Sequence, residues 1–284
     1  QWRDYTVLPS TGGADILPVR RASVEHNTSR VVLSPLLSAS CYIIRSALAP
    51  TVEEDAVYKY GAVCTPPSPS SPSPSFKMVW GSCVTVSLPP LHRSYTAEWA
   101  LTDYHPDLVL LLGDMVYTDI MEDLPLRVPP VLAWHRTFGQ PSIDRLLSVT
   151  PALLMHDDHE VQNNWDGVNM GGQWNQELHY LSMFAWQRNA VEHMPRKWHV
   201  HQHGQDVSVF VLDVRLMDDY DTMAAGDASA HLPWAAITEW FRTPHTWHVF
   251  ASPRLVAGVW DLGDEIWSAP SRERLLSLCT ANTV

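Results

Sequence analysis

The sequence lacks any apolar run long enough to cross a bilayer as a helix. Its best candidate, Val31 to Ala49, is interrupted by serines, Pro35 and Arg45, where a span needs roughly 18–20 apolar residues in succession. A helical membrane span is not expected within these residues. Cysteine is also scarce. The four present (Cys41, Cys64, Cys83, Cys279) form no CxxC pair, which argues against a disulfide framework and against a structural zinc site of the usual spacing. Positive charge is short as well. There are 19 Lys and Arg against 31 Asp and Glu, a formal net charge of −12, so general nucleic-acid binding, which relies on basic surface, is not expected. A phosphate substrate stays compatible with that balance, because carboxylates that hold cations count toward it and a bound ion inverts the local field. No charged-then-apolar leader is visible after Gln1, so any targeting segment is expected to lie outside these residues. Asn27-Thr28-Ser29 fits the N-glycosylation acceptor triplet.

What remains is the composition of a folded chain: 45% hydrophobic and 18% charged over 284 residues, enough to bury a full core. The 13 tryptophans suit either large core side chains or the walls of a cleft. Short apolar runs then mark strands, and the residues that end them are chemically capable. KMVW leads into Gly81-Ser82-Cys83, LVLLL into Gly113-Asp114 and Tyr117, ALLMH into Asp157-Asp158-His159-Glu160, VSVFVL into Asp213-Val214-Arg215, and WHVFA into Ser252-Pro253-Arg254. Continuous apolar runs of this kind read as buried parallel strands, and ligands of open parallel sheets sit beyond the carboxyl ends of the strands.

Residues 1–63 lack helical periodicity and read as a small β-rich domain, an incomplete sandwich with strands near 21–24, 30–33, 41–44 and 56–58. Residues 64–75, dense in Pro and Ser, form neither ladder nor helix and read as an extended linker or insertion. From residue 76 to 284 strands alternate with helices, predicted at 142–148 with Ser142 as cap, 173–193, 233–241 and from 272. That alternation implies an α/β fold with a largely parallel sheet.

Among the strand ends, Gly113-Asp114-x-x-Tyr117 offers a carboxylate and a phenol, hard ligands for a hard cation, with tyrosinate suited to ferric iron; a turn with a packed tyrosine is the blander reading. Asp157-Asp158-His159 is more specific. Two adjacent acids beyond a buried strand repel one another and need a positive partner, for which a metal ion is the most economical choice. His159 is then a ligand or a general acid. Cys83 is by itself as readily a packed thiol as a ligand. The Asp213/Arg215 pair is a structural ion pair or a fork for phosphate oxygens. His199, His201 and His203 alternate along one strand, but they run into Gly204-Gln205-Asp206, a turn signature, and are expected on an exposed hairpin arm.

The succession GSC, GDxxY, DDHE with Asn163, Asn164 and Trp165 nearby, then DxR, resembles the alkaline phosphatase D (PhoD-like) family of calcineurin-like metallophosphoesterases. The resemblance covers about residues 76–278 and extends to Trp247–Ser252 and Asp261–Ser268. It implies a four-layer α/β/β/α sandwich behind a small N-terminal β domain, and metal-dependent hydrolysis of phosphomonoesters or phosphodiesters, small or polymeric, at a dinuclear site. By the same resemblance Cys83 and Tyr117 are iron ligands and Asp114 bridges iron to a second cation, often calcium. One or both of Asp157 and Asp158 complete the metal shell, His159 lies near the phosphate as the candidate proton donor, and Asp213 and Arg215 support the metals or contact phosphate. Val214 stands where the family commonly has threonine. The family's further GDxH-type block does not occur before Val284, which implies a catalytic domain incomplete at its C-terminus. The alternative reading is an impaired relative, or a fragment, that serves as a binding or structural protein. The resemblance is compatible with secretion and leaves the compartment open.

Overall fold

In the computed structural model the described residues are 3–9, 17–18, 24–25, 28–29, 36–48, 57–73, 75–83, 103–117, 137–155, 157–160, 163, 198–215, 232–256, 267 and 269–281. Strands β1 (Arg3–Pro9), β2 (Leu17–Pro18), β3 (Val24–Glu25), β4 (Thr28–Ser29), β5 (Cys41–Leu48) and β6 (Val57–Cys64) come first. Four of them make an antiparallel sheet ordered β2-β1-β5-β6, while β3 pairs with β4 alone. β1 was not foreseen, and β5 and β6 run further than expected; residues 21–23, 30–33 and 56 lie outside the described residues. The register sets Cys41 directly opposite Cys64, and the two form a disulfide. This departs from the cysteine-based expectation because residues 23 apart in sequence become neighbours only through strand pairing.

The Pro/Ser-rich stretch after Cys64 has no helix or strand among its described residues but turns at Ser68–Ser71, where Ser71 N–H donates to Ser68 O at 2.8 Å, and it is tied down at both ends. Ala39 N–H donates to Pro66 O and Thr65 N–H to Ser40 O, at 3.0 and 2.9 Å. Further on, Gln205 N–H donates to Ser71 O at 2.8 Å, and Ser73 N–H donates to Asp206 Oδ2 at 2.6 Å. The turn that makes the last two bonds, donating from Gln205 and accepting at Asp206, needs Gly204: its φ is +61°, and a Cβ there would sit 2.8 Å from Ser71 O.

Three strands, β7 (Met78–Gly81), β8 (Leu108–Leu112) and β9 (Ala152–Met155), form a parallel sheet in that order. Helix α1 (Pro141–Val149) leads into β9 with proline in its first turn. Its N-cap is Gln140, and Ser142 lies buried inside the helix instead of capping it. β10 (Trp198–His203) and β11 (Val207–Leu212) make an antiparallel hairpin. Helix α2 (Trp234–Arg242) then crosses to β12 (Trp247–Ala251), which pairs parallel to β11, and α3 (Ala269–Ala281) follows. The expected helix at 173–193 lies outside the described residues. Among the described residues no helix is long and apolar enough to cross a membrane.

The result is a mixed α/β fold in which β11, buried along its whole length, separates two cores. Val207, Val209 and Val211 pack with Leu108, Leu110, Leu153 and Met155 of the parallel sheet. Phe210 and Leu212, on the opposite face, pack with Trp234, Ile237, Trp240 and Phe241 of α2 and Leu275 of α3. Phe210 stacks against Trp198 and Phe250, at centroid distances of 5.4 and 5.7 Å, contacts worth about 0.5–1.5 kcal/mol each beyond burial. Two sheets thus pack face to face with helices behind one of them. The hairpin arm bearing the histidines is not exposed as expected. Strand alternation turns all three imidazoles to the side of Val207, Val209 and Val211, where His203 is buried against Phe76.

Candidate metal centre

Parallel pairing places the carboxyl ends of β7, β8 and β9 on one edge, and each strand ends in a polar turn. After β8 the chain turns through left-handed backbone at both Gly113 (φ 93°) and Asp114 (φ 54°). Glycine does this freely, and aspartate tolerates it because its short side chain bonds locally. Cys83 after β7 is also left-handed (φ 58°), and its N–H donates to Gly113 O at 3.3 Å, which joins the two turns.

These turns bring five of the expected site residues together. Ligand atoms of Asp114, Asp158 and His159 all lie within 4.8 Å of one another. Asp114 Oδ2 accepts from the Tyr117 hydroxyl at 3.2 Å and from the Cys83 thiol at 3.6 Å. The Tyr117 and His159 rings lie against each other with centroids 4.4 Å apart. Asp114 is 8% exposed and Asp158 2%. The other Asp114 oxygen, Oδ1, is buried without a hydrogen-bond partner among the described residues, an arrangement that a cation would satisfy. Two carboxylates, a phenol and a thiol form a donor set that fits a metal ion, with the His159 imidazole beside them as a further ligand or as an acid.

Electrostatics point the same way. Burial, then the neighbouring Asp158, pushes the Asp114 carboxyl above its ordinary value, with His159 pulling it back. The Tyr117 phenol and the thiol of Cys83, a residue that is itself exposed, are also pushed up, chiefly by partial desolvation. With protein groups alone burial therefore disfavours the charged forms of Asp114, Tyr117 and Cys83, and a bound cation would oppose that preference.

The remaining expected residues sit differently. Arg215, wholly buried, directs Nε to Asp157 Oδ1 and Nη2 to Asp158 Oδ1, the latter at 3.1 Å. Its guanidinium thereby joins the carboxyl end of β11 to that of β9, so the two sheets share one rim. Burial raises the Asp157 carboxyl while the Arg215 charge lowers it. Asp213 is buried just beyond β11 and is not part of the Asp114–Asp158–His159 group.

Sequence reasoning missed the role of Glu160. Its carboxylate, 1% exposed, accepts four backbone N–H groups: Met115 and Val116 on Oε1 at 2.6 and 3.1 Å, Asp114 and Asp157 on Oε2 at 3.0 and 2.8 Å. Burial pushes this carboxyl well up, and the backbone donors oppose that shift. A third acid following two others was the visible signal, but main-chain partners 44 to 46 residues away leave no trace in side-chain patterns.

Residues 78–248, more than half of the chain, match the family model described as PhoD-like phosphatase. Among solved structures, one of PhoD superposes with a TM-score of 0.70 at 19% identity, over 99% of this chain and 62% of that one. The purple acid phosphatase PPD1 from yellow lupin (Lupinus luteus) seeds superposes with a TM-score of 0.68 at 14% identity, over 100% of this chain and 52% of that one. The chain therefore spans less than two thirds of the length of either structure. No curated protein sequence matches it.

Proposed function

Because the chain belongs to the PhoD-like phosphatase family, we propose that it hydrolyses phosphate esters, mono- or diesters, at a dinuclear metal site on a four-layer α/β/β/α scaffold. The observation that carries this reading is the meeting of Asp114, Asp158 and His159 within 4.8 Å, beside a buried Asp114 oxygen with no hydrogen-bond partner among the described residues. In the proposed arrangement Cys83, Tyr117, Asp114 and Asp158 would hold the ions, iron and calcium by the family resemblance. When bound, such ions supply Lewis-acid polarisation of a phosphoryl oxygen and an acidified water.

The chain's own groups supply the rest. Before metal binds, Tyr117 and Cys83 orient Asp114 by donating to Oδ2, with protons that each would give up on taking a metal, and Oδ1 has no hydrogen-bond partner among the described residues. His159, packed on the Tyr117 ring, is the proposed donor of a proton to the departing ester oxygen. Arg215 and Asp157 hold Asp158 in place from behind, so Arg215 acts by orienting a ligand, and buried Asp213 supports the same rim. Residues 76–284 make up the proposed catalytic unit, 1–63 an accessory β domain, and 64–75 the connection between them.

The test is hydrolysis of a chromogenic phosphate ester with iron and calcium supplied. Asp114→Asn is expected to lower kcat/KM by at least about 10²-fold, in the range seen when a charge-organising group is removed. Turnover equal to the parent's would sink the assignment.

A further inference from the structure

Three consecutive backbone N–H groups, of Asp114, Met115 and Val116, converge on the Glu160 carboxylate. Successive N–H groups in a turn of this kind form a concavity that binds an anion. Here the chain fills it with its own side chain, and that side chain springs from the other ligand-bearing turn. Glu160 Oε2 is shared between Asp114 N–H and Asp157 N–H, so a single oxygen touches both turns.

We propose that Glu160 is a positioning residue that clamps the turn after β8 to the turn after β9 and fixes the spacing of Asp114 and Asp158. This inference rests on the metal-centre reading above. The chemistry of the clamp is specific to glutamate. Four N–H donors meet its carboxylate, two to each oxygen. Glutamine would keep the shape but set an NH2 group against two N–H groups. Aspartate, one methylene shorter, could not reach both turns at once. Residues that orient metal ligands from behind typically change metal affinity or activity by 10–100-fold when altered.

The experiment titrates Mn²⁺, followed by electron paramagnetic resonance, into Glu160→Gln and into Ile237→Ala. Ile237 is buried in the helix-side core and is none of the proposed ligands, so its truncation destabilises the fold without removing a ligand or the clamp. Glu160→Gln is expected to weaken Mn²⁺ binding and lower kcat by about 10–100-fold, with KM for a chromogenic phosphate ester within about threefold of the parent. Parent-like Mn²⁺ binding by Glu160→Gln overturns the proposal. So does an equal loss in Ile237→Ala, because instability alone would then explain it. Should Glu160→Gln fail to fold, hydrogen exchange in the parent decides. Residues 113–117 and 157–160 are expected to exchange as one unit and to slow together on adding Mn²⁺; independent exchange overturns the clamp. A parent chain that bound no Mn²⁺ while still exchanging the two segments as one unit would overturn the metal reading and leave the clamp standing.

Discussion

Replacing Arg215 by methionine removes the buried cation that faces two buried carboxylates. Arg215 is 0% exposed, with Asp157 at 7% and Asp158 at 2%, so water cannot take over the lost bonds. Removing one partner of a buried ion pair typically costs about 3–5 kcal/mol, because an uncompensated charge is left behind. Arg215→Met should therefore lose about that much in urea unfolding performed without metal. Adding Asp157→Asn removes one of the stranded charges, and the double variant should recover about 1–3 kcal/mol of the deficit. A pH dependence follows from the Asp157 carboxyl. Burial already holds it above the ordinary value, and Arg215 opposes that shift, so losing Arg215 raises it further. A carboxyl raised on folding keeps its full contribution at low pH and loses stability as pH rises through its folded value. The deficit of Arg215→Met should thus be smaller at pH 5 than at pH 8. A deficit under about 1 kcal/mol, or one indifferent to pH across that interval, would refute the reasoning.

Three further outcomes are expected. Replacing Cys41 and Cys64 with serine opens a loop closed over 23 residues and should cost about 3 kcal/mol; reductant on the parent should reproduce the loss, and an unchanged urea midpoint would count against the bond. Burial, then His203 and His199, lowers His201 to about 4 from 6.5, so its contribution is intact above pH 6.5 and is lost as pH falls toward 4, by at most about 3 kcal/mol. His201→Phe should flatten that part of the stability profile, and an unaltered slope would exclude His201 as its source. A Cβ at Gly61 would lie 2.7 Å from the backbone oxygen of Ser148, so Gly61→Ala should push α1 from β6 and cost about 1–3 kcal/mol; an unchanged melting temperature would show that this contact yields freely.

The rim of the parallel sheet was legible because its strands are apolar throughout, although only β8 is buried on both faces, whereas Trp80 of β7 is 64% exposed and β9 is half-buried. Such strands read as unbroken apolar runs, and any polar residue at their ends stands out, as Asp114, Asp157 and Asp158 did. The histidine arm was misjudged for a related reason. His199, His201 and His203 alternate with Val200 and Gln202, a pattern equally compatible with an outward or an inward imidazole face. The sheet pairing decides it, by aligning them with Val211, Val209 and Val207. The disulfide likewise depends on register. Arg215 could be recognised as important but not oriented: a fork for phosphate and a fork for two carboxylates call for the same side chain. Glu160 was hidden more deeply, since what it recognises is main chain and every residue but proline offers an N–H.

The most direct test of the central claim is the metal content of the purified chain after equilibration with iron and calcium. Close to two ions per chain are predicted for the parent, with at least one lost in both Asp114→Asn and Asp158→Asn. No bound ion in the parent, or equal content in all three proteins, would contradict the account.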